Sequence, residues 1–267
     1  TFSNLFMQVK KFDDVNEEFL RYMILNSIRA YNSGKLFKGR GEVIIACDSK
    51  ENWRKDIFPY YKANRKKKRE ESTINWDKVF SAFDTVKSEL KEFFPYTVID
   101  VPKTEADDII AVLSKQGEKT LILSGDTDFM QLHDGFLIEQ YSPVQKKFIS
   151  TRDPNYLKQH ILEGDSSDGI PNICSPDDTF VLNKRQKRLT AKKAKFFIDC
   201  EPEDYPAEEK RNYYRNKQLI DLTCIPEIYK LEIQEQYDSR PTKNKSKLFN
   251  YFFDRKLTKF IDVIQDF

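Results

Sequence analysis

Nine carboxylates fall into four short clusters along the chain. Asp48 follows the apolar run Val43-Ile44-Ile45-Ala46-Cys47. Glu105, Asp107 and Asp108 stand in Thr-Glu-Ala-Asp-Asp, and Asp126 and Asp128 in Ser-Gly-Asp-Thr-Asp-Phe. Asp165 and Asp168 stand in Glu-Gly-Asp-Ser-Ser-Asp-Gly-Ile-Pro, with Glu163 just upstream as the ninth and weakest member. Acids at the carboxyl ends of buried strands sit where open α/β sheets bind their ligands. Converging carboxylates repel one another and stay ionised together only where cations share the site. A cluster of oxygen ligands without His or Cys suits Mg²⁺ or Mn²⁺ rather than zinc. Two such ions about 4 Å apart could hold a scissile phosphate between them.

Such a site needs a frame, and the composition permits one. The chain has 267 residues, 39% apolar and 33% charged, enough for a large core under a very polar surface. Net charge is only +2, so bulk charge does not indicate a nucleic-acid binder. The distribution says more: bases gather at 62–69 and 184–195, apart from the acids. An acidic pocket flanked by basic stripes suits a metal-dependent enzyme acting on a polyanion. The four cysteines form no CxxC pair, consistent with a reducing cytoplasm. No run reaches membrane-span length and no signal peptide is visible, so no membrane is expected.

Apolar spacing predicts helices over 17–31, 76–94 and 105–116, with Thr104 as N-cap of the third, and a short helix within 51–62. Strands are expected at 42–47, 96–101 and 120–123, with a hairpin at 136–141 and 146–150. This alternation implies an α/β fold: a mainly parallel central sheet with helices on both faces. From 153 onward helices dominate, expected at 154–163, 190–199, 207–222, 227–236 and 256–266. Residues 1–152 would then carry the metal-binding core and 153–267 a helical duplex-binding part of the same compact body.

Each acidic cluster has a plainer explanation. Glu105, Asp107 and Asp108 at a helix start are favoured by the helix dipole alone. Asp128 could cap a helix, and Asp165 with Asp168 could serve an ordinary turn. Four such clusters brought to one edge favour shared metal binding. Lys62 to Arg69 supplies six bases within eight residues and has no apolar stripe. It reads as a solvated, mobile loop, and its place between two α/β segments favours an arch over the acidic edge. Trp53, Tyr60 and Tyr61 just before it could stack on an unpaired base or pack in the core. In the second basic stretch a helix start near Thr190 carries Lys192 and Lys193, which suits a duplex phosphate backbone. His133 and His160 fit no Ser-His-Asp arrangement and read as structural.

In order and spacing, four elements resemble the flap-endonuclease-like 5′ nucleases. They are Asp48 with Tyr60-Tyr61-Lys62-Ala63-Asn64-Arg65, Glu105-Ala106-Asp107-Asp108, Ser124-Gly125-Asp126-Thr127-Asp128-Phe129 with Gln131-Leu132, and Gly164-Asp165-Ser166-Ser167-Asp168-Gly169-Ile170-Pro171. Arg69-Glu70-Glu71-Ser72-Thr73 and the tail Lys247-Leu-Phe-Asn-Tyr-Phe-Phe are similar to the T-even-type phage branch of that family.

The resemblance implies a PIN-like 5′-nuclease fold and two-metal phosphodiester hydrolysis with two Mg²⁺, Mn²⁺ being able to substitute. It implies 5′→3′ exonuclease, ribonuclease H and flap-endonuclease action, removing RNA primers and adjacent DNA from lagging-strand fragments. Asp48, Glu105, Asp107 and Asp126 would surround a first ion, with Asp108 beside them; Asp128, Asp165 and Asp168 lie nearer a second. Asp126 would be essential to catalysis. Lys62 and Arg65 would grip the scissile phosphate from an arch at about 62–75, where Lys66, Lys67, Lys68 and Arg69 add nucleic-acid contacts. RNA–DNA hybrid, 5′-flap or nicked duplex, and the phage single-strand-binding protein would be partners of a monomer in the infected host's cytoplasm.

Two features depart from the family pattern. The family's first strand ends in a metal-ligand Asp just before a helix like residues 2–12, and this sequence starts after that point. Residues 173–190 hold no Gly, so duplex binding there must differ from relatives with Gly-x-Gly, leaving Thr190, Lys192 and Lys193 as candidate contacts. A PIN-type endoribonuclease, or a non-catalytic DNA-junction binder should the first-strand Asp be absent, are the alternatives.

Overall fold

A computed structural model describes residues 16–34, 41–72, 74–150, 153–242 and 244–267. The helix expected at 2–12 and the side chains of Lys66, Lys67 and Lys68 lie outside the described residues. In chain order the elements are α1 (Glu17–Asn32), β1 (Ile44–Ala46), α2 (Arg54–Ile57), α3 (Ala63–Glu70), α4 (Trp76–Phe93), β2 (Thr97–Ile99), α5 (Ala106–Leu113) and β3 (Thr120–Leu123). A 3-10 segment (Thr127–Leu132) follows, then β4 (Ile138–Ser142), β5 (Lys147–Ile149), α6 (Tyr156–Glu163), α7 (Ala191–Asp199), α8 (Ala207–Ile220), α9 (Glu227–Asp238), α10 (Leu248–Asp254) and α11 (Thr258–Ile261).

Contacts gather the described residues into two units. One comprises the segments up to Cys47, from 74 to Asp100 and from Glu235 onward; the other runs Asp48–Ser72 and Val101–Gln234. This division does not follow the change of element type at residue 152.

In the first unit β1 and β2 pair in parallel, Ile44 opposite Thr97 and Ala46 opposite Ile99. Asn16 caps α1 by accepting the Phe19 amide at 2.8 Å, and Asn75 caps α4 through Lys78 at 3.1 Å. The two helices pack together and bury Ile24, Leu25, Val86 and Leu90. The core is closed by Phe94, Tyr251, Phe252, Phe260 and Phe267, with Phe94 meeting Phe252 and Phe267 edge-on. The carboxyl-terminal end departs from expectation. The single helix expected at 256–266 is α11 plus a 3-10 turn at Ile264–Asp266, and α10 precedes it unforeseen.

In the second unit β3 and β4 pair in parallel and β4 turns back on β5, so the expected hairpin is present. Trp53, Ala111, Ile122, Phe129, Leu132, Ile138, Leu222 and Ile225 form the core around this sheet and α5. A second cluster, including Phe58, Tyr61, Ile161, Leu162, Ile170, Ile173, Leu219 and Ile220, lies beneath the Asp165–Asp168 segment. The charged run is helical: α3 spans Ala63–Glu70, where a mobile loop was expected. Lys, Arg and Glu are good helix formers, and Ala63, Arg65, Arg69 and Glu70 are exposed, so the described part of α3 needs no apolar stripe. Among the described residues no helix is long and apolar enough to cross a membrane.

One polar pair is buried within the first unit. Arg21 donates to both Glu89 oxygens at 2.7 and 3.0 Å, and Tyr251 donates to the same carboxylate at 2.8 Å. Glu89→Ala removes the buried partner of Arg21 and the acceptor of Tyr251, leaving Arg21 only its pair with the half-exposed Glu17, and should cost about 3 kcal/mol or more, read as a lower urea midpoint with an unchanged slope.

Candidate functional site

The site begins at the start of α5. Glu105 occupies the N-cap position and its amide donates to Asp108 Oδ2 at 2.9 Å. The cap is therefore Glu105, while Thr104 turns its hydroxyl to the Val101 carbonyl. Asp108 is fully buried. It accepts two bonds from Arg54, at 2.7 and 3.0 Å, and one from the Trp53 indole at 3.0 Å. Arg54 itself is buried and reaches Glu105 at 3.4 Å and the Leu219 carbonyl at 2.9 Å. Asp108 thus differs from the ligand role expected of it: its oxygens are committed to the guanidinium, the indole and the helix start. Asp48 accepts the Ala106 amide at 2.9 Å and so joins the same helix terminus.

Asp126 accepts the Asp128 amide at 3.1 Å and caps the 3-10 segment, a role the sequence had suggested for Asp128. Asp128 is held by His160 of α6, whose Nε2 lies 2.9 Å from Oδ1. Burial works against protonation of His160, but the bond to Asp128 prevails and raises its pKa. Tyr156, stacked on His160, donates to the Thr127 carbonyl at 2.7 Å.

Asp165 and Asp168 sit on a loop that only glycine can close at its start. Gly164 has φ +69°, and a Cβ there would lie 2.5 Å from the Ile170 carbonyl. Asp165 accepts the Ser167 amide at 2.7 Å and fixes the turn. The loop's two ends are clamped by α8. Asn216 donates to the Ile161 and Pro171 carbonyls, both at 2.9 Å, and Arg215 donates to Pro171 at 3.0 Å. Asn212 holds the Ile173 carbonyl at 2.8 Å.

The segment leading into α3 meets these acids directly. Lys62 adopts φ +56°, a left-handed conformation that costs a non-glycine residue, and its amide donates to the Asp168 carbonyl at 2.7 Å. Its ammonium bonds Glu105 and lies 3.3 Å from Asp168. Arg65 pairs with the other Asp168 oxygen. The Tyr61 hydroxyl lies 2.7 Å from Glu105 and 2.9 Å from Asp168. Tyr61 and Trp53 are buried, so packing rather than base stacking explains them, while Tyr60 is exposed.

Glu105, Asp107, Asp128, Asp165 and Asp168 line one small cavity, floored by Ile170, Leu219 and Leu222. Burial, then the charges of Asp126, Glu105 and Asp48, push the Asp107 carboxyl well above its ordinary value. Burial also raises Asp168, against the pull of Lys62 and Arg65, with Asp165 and Glu105 adding to it. Glu105 goes the other way: burial is outweighed by Lys62 and Arg54, which lower it. The repulsions couple Asp107 to Asp48, Glu105 and Asp126, and Asp168 to Asp165 and Glu105, so Glu105 belongs to both sets. Among the described residues no three His, Cys, Asp or Glu side chains are arranged to close on one ion. Lys62, Arg65 and His160 serve as the counter-charges in this arrangement. The donor set itself is oxygen-rich and anionic and fits a hard divalent cation.

The basic side chains Lys184, Arg185, Lys187, Arg188 and Lys195 line a separate groove beside α6 and α7. Thr190 spends its hydroxyl on the Lys193 amide at 3.3 Å as N-cap of α7, while Lys192, Lys193 and Arg69 are exposed. Sequence reasoning missed Arg54, His160, Asn212 and Asn216. The i, i+4 spacing of Asn212 and Asn216 on a helix also carrying Leu219 and Ile220 was their one signal.

An acid-lined cavity bordered by a cationic helix, on an α/β frame, suits an enzyme that cleaves phosphodiesters. Residues 19–161 match the family model described as 5′–3′ exonuclease, N-terminal resolvase-like domain, and residues 155–267 match T4 RNase H, C terminal. The chain belongs to the 5′–3′ exonuclease family and is a 5′ nuclease of the ribonuclease H type. It is 32% identical to the ribonuclease H of Enterobacteria phage T4 over 96% of this chain and 88% of that one. A 5′–3′ exonuclease of Buchnera aphidicola is 29% identical over 57% of this chain and 56% of its own length. The fold is shared with phage T5 5′-exonuclease bound to zinc ions, at TM-score 0.53, 16% identity, and 98% and 94% coverage. It is shared too with a T5 flap endonuclease in a complex with DNA and metal ions, at TM-score 0.54, 15% identity and 92% coverage of each chain.

The different surroundings of two adjacent acids can be tested by melting the protein in EDTA. Asp108→Ala removes two of the buried Arg54's charge-assisted bonds and leaves it, among carboxylates, only the longer contact to Glu105, which should cost about 3 kcal/mol or more, a clear fall in Tm. Asp107→Asn removes a carboxylate that burial and its neighbours disfavour, and should hold or raise Tm. Equal losses in both variants would mean that Asp107 is scaffold as well.

Proposed function

We propose that this chain is a divalent-metal-dependent 5′→3′ exonuclease and flap endonuclease that removes RNA primers and adjacent DNA from lagging-strand fragments in phage replication. The observation that carries this reading is the single cavity lined by five carboxylates from three separate segments, with Lys62 and Arg65 drawn onto it. Asp48, Glu105, Asp107 and Asp126 are the residues to hold one Mg²⁺, and Asp128, Asp165 and Asp168 a second, with Mn²⁺ able to replace either. Asp108 is assigned to the scaffold. Bound there, such ions lower the pKa of a water and stabilise charge on the departing oxygen.

The chain's own groups do the rest. Lys62 stays protonated, because Asp168 and Glu105 raise its pKa against the effect of burial. With Arg65 it forms the cationic wall that a scissile phosphate meets. Lys66, Lys67, Lys68 and the exposed Arg69 are, from the sequence, the further nucleic-acid contacts of this reading. The Lys184–Lys195 groove, with Lys192 and Lys193, suits the phosphates of a duplex, and Thr190 orients the helix start that carries them. RNA–DNA hybrid and 5′-flap or nicked duplex are the substrates of this reading. A monomer working with the phage single-strand-binding protein in the cytoplasm of the infected cell completes it.

A labelled RNA–DNA hybrid and a 5′-flap duplex test the proposal. Short 5′ products should form with Mg²⁺ and vanish with EDTA. Asp126→Asn should lower turnover by ~100-fold or more while flap binding survives and weakens steeply with salt. Unchanged turnover in that variant would sink the metal assignment, and a preference for unstructured RNA would favour an endoribonuclease.

A further inference from the structure

Gln140 lies in the middle of β4, opposite Ile122 of β3, and is fully buried. A buried amide is costly unless its donors and acceptor are all used. Here both donors go to one place. Nε2 donates to the Ser124 carbonyl at 2.9 Å and to the Asp126 carbonyl at 2.6 Å, the two that flank Gly125. The Oε1 acceptor lies 3.1 Å from Nε2 of His133, which follows the 3-10 segment. Burial lowers the His133 pKa, consistent with a neutral ring whose Nε2–H donates to Gln140.

A second β4 residue meets the same loop. A Cβ at Gly125 would lie 3.1 Å from Ser142 Oγ, so the loop rests against the strand with little room to spare. In the same loop the Asp126 amide donates to Ser124 Oγ at 3.1 Å, and the Asp126 carboxylate accepts from the Asp128 amide at 3.1 Å. Gln140 lies outside the acid-lined cavity, and an apolar side chain of similar length would fill its volume. Among the described residues, its side-chain polar atoms serve only the Ser124–Asp126 loop and His133.

We infer that Gln140, oriented by His133, is a positioning residue that sets the direction of the Asp126 carboxylate, and through it that of Asp128, for divalent-cation binding. This rests on the metal reading of those carboxylates and adds to it a support that is remote from the cavity. Polar groups behind ligands commonly govern affinity this way.

The test uses the full chain with Gln140→Met, which keeps length and loses both donors, and Gln140→Glu, which is isosteric and sets an acceptor against two carbonyls. Three measurements are made: amide hydrogen exchange over 121–132 without metal, Mn²⁺ binding by electron paramagnetic resonance, and steady-state flap cleavage. The expected result is faster exchange confined to 124–128, Mn²⁺ affinity and kcat both about 10- to 100-fold lower, and KM nearly unchanged. Unchanged exchange and Mn²⁺ affinity in a folded variant would overturn the inference. So would loss of a cooperative melt in both variants, which would make Gln140 a structural residue only. If the wild type binds no Mn²⁺, the metal reading fails, and the exchange measurement alone decides whether Gln140 fixes the loop.

Discussion

Like charges held close in a poorly solvated cavity are the constraint that organises the second unit. Asp107 feels Asp126, Glu105 and Asp48, and Asp168 feels Asp165 and Glu105. Left alone, such groups would take up protons or drive the loops apart. Arg54 and Lys62 answer the repulsion from within, and Arg65 from the rim. Arg54 is tied permanently by its two bonds to Asp108. Lys62 and Arg65 instead hold carboxylates that line the cavity, at the start of α3. Arg54, by contrast, is enclosed with its carboxylate partner.

The same carboxylates also shape the backbone. Asp48 takes the Ala106 amide, Asp126 the Asp128 amide, and Asp165 the Ser167 amide. Helix caps and turns were the plain explanations for these acids, and metal binding was the other. The two are chemically compatible: one oxygen of a carboxylate can close a turn while the other stays available to a ligand. Losing such a residue therefore disturbs local geometry as well as charge.

Much of this was legible in the residues. The periods of α1 and α4 and the run of β3 marked the frame, and Glu105-Ala106-Asp107-Asp108 marked the site. Spacing could not separate Asp107 from Asp108, since neighbours on a helix face different ways and only the packed Arg54 and Trp53 show which is consumed. Composition misled at 63–70, where the lack of an apolar stripe suggested a loop, yet helix propensity and the two pairings of Lys62 and Arg65 fix a helix. Buried polar residues such as Asn212, Asn216 and Gln140 gave almost no signal, because their partners are carbonyls distant in sequence.

Those partners follow a pattern. Arg54 takes the Leu219 carbonyl, Asn216 those of Ile161 and Pro171, and Gln140 those of Ser124 and Asp126. Each belongs to a segment that borders or carries the acids. A carbonyl left unpaired near the cavity would add negative potential that no residue there needs, and would be free to swing toward an incoming cation. Pairing it with an interior donor removes both effects. The negative ends presented to the cavity are then side-chain carboxylates on loops with few remaining degrees of freedom. Directional rigidity of that kind is what distinguishes a cation site from a mere patch of acid.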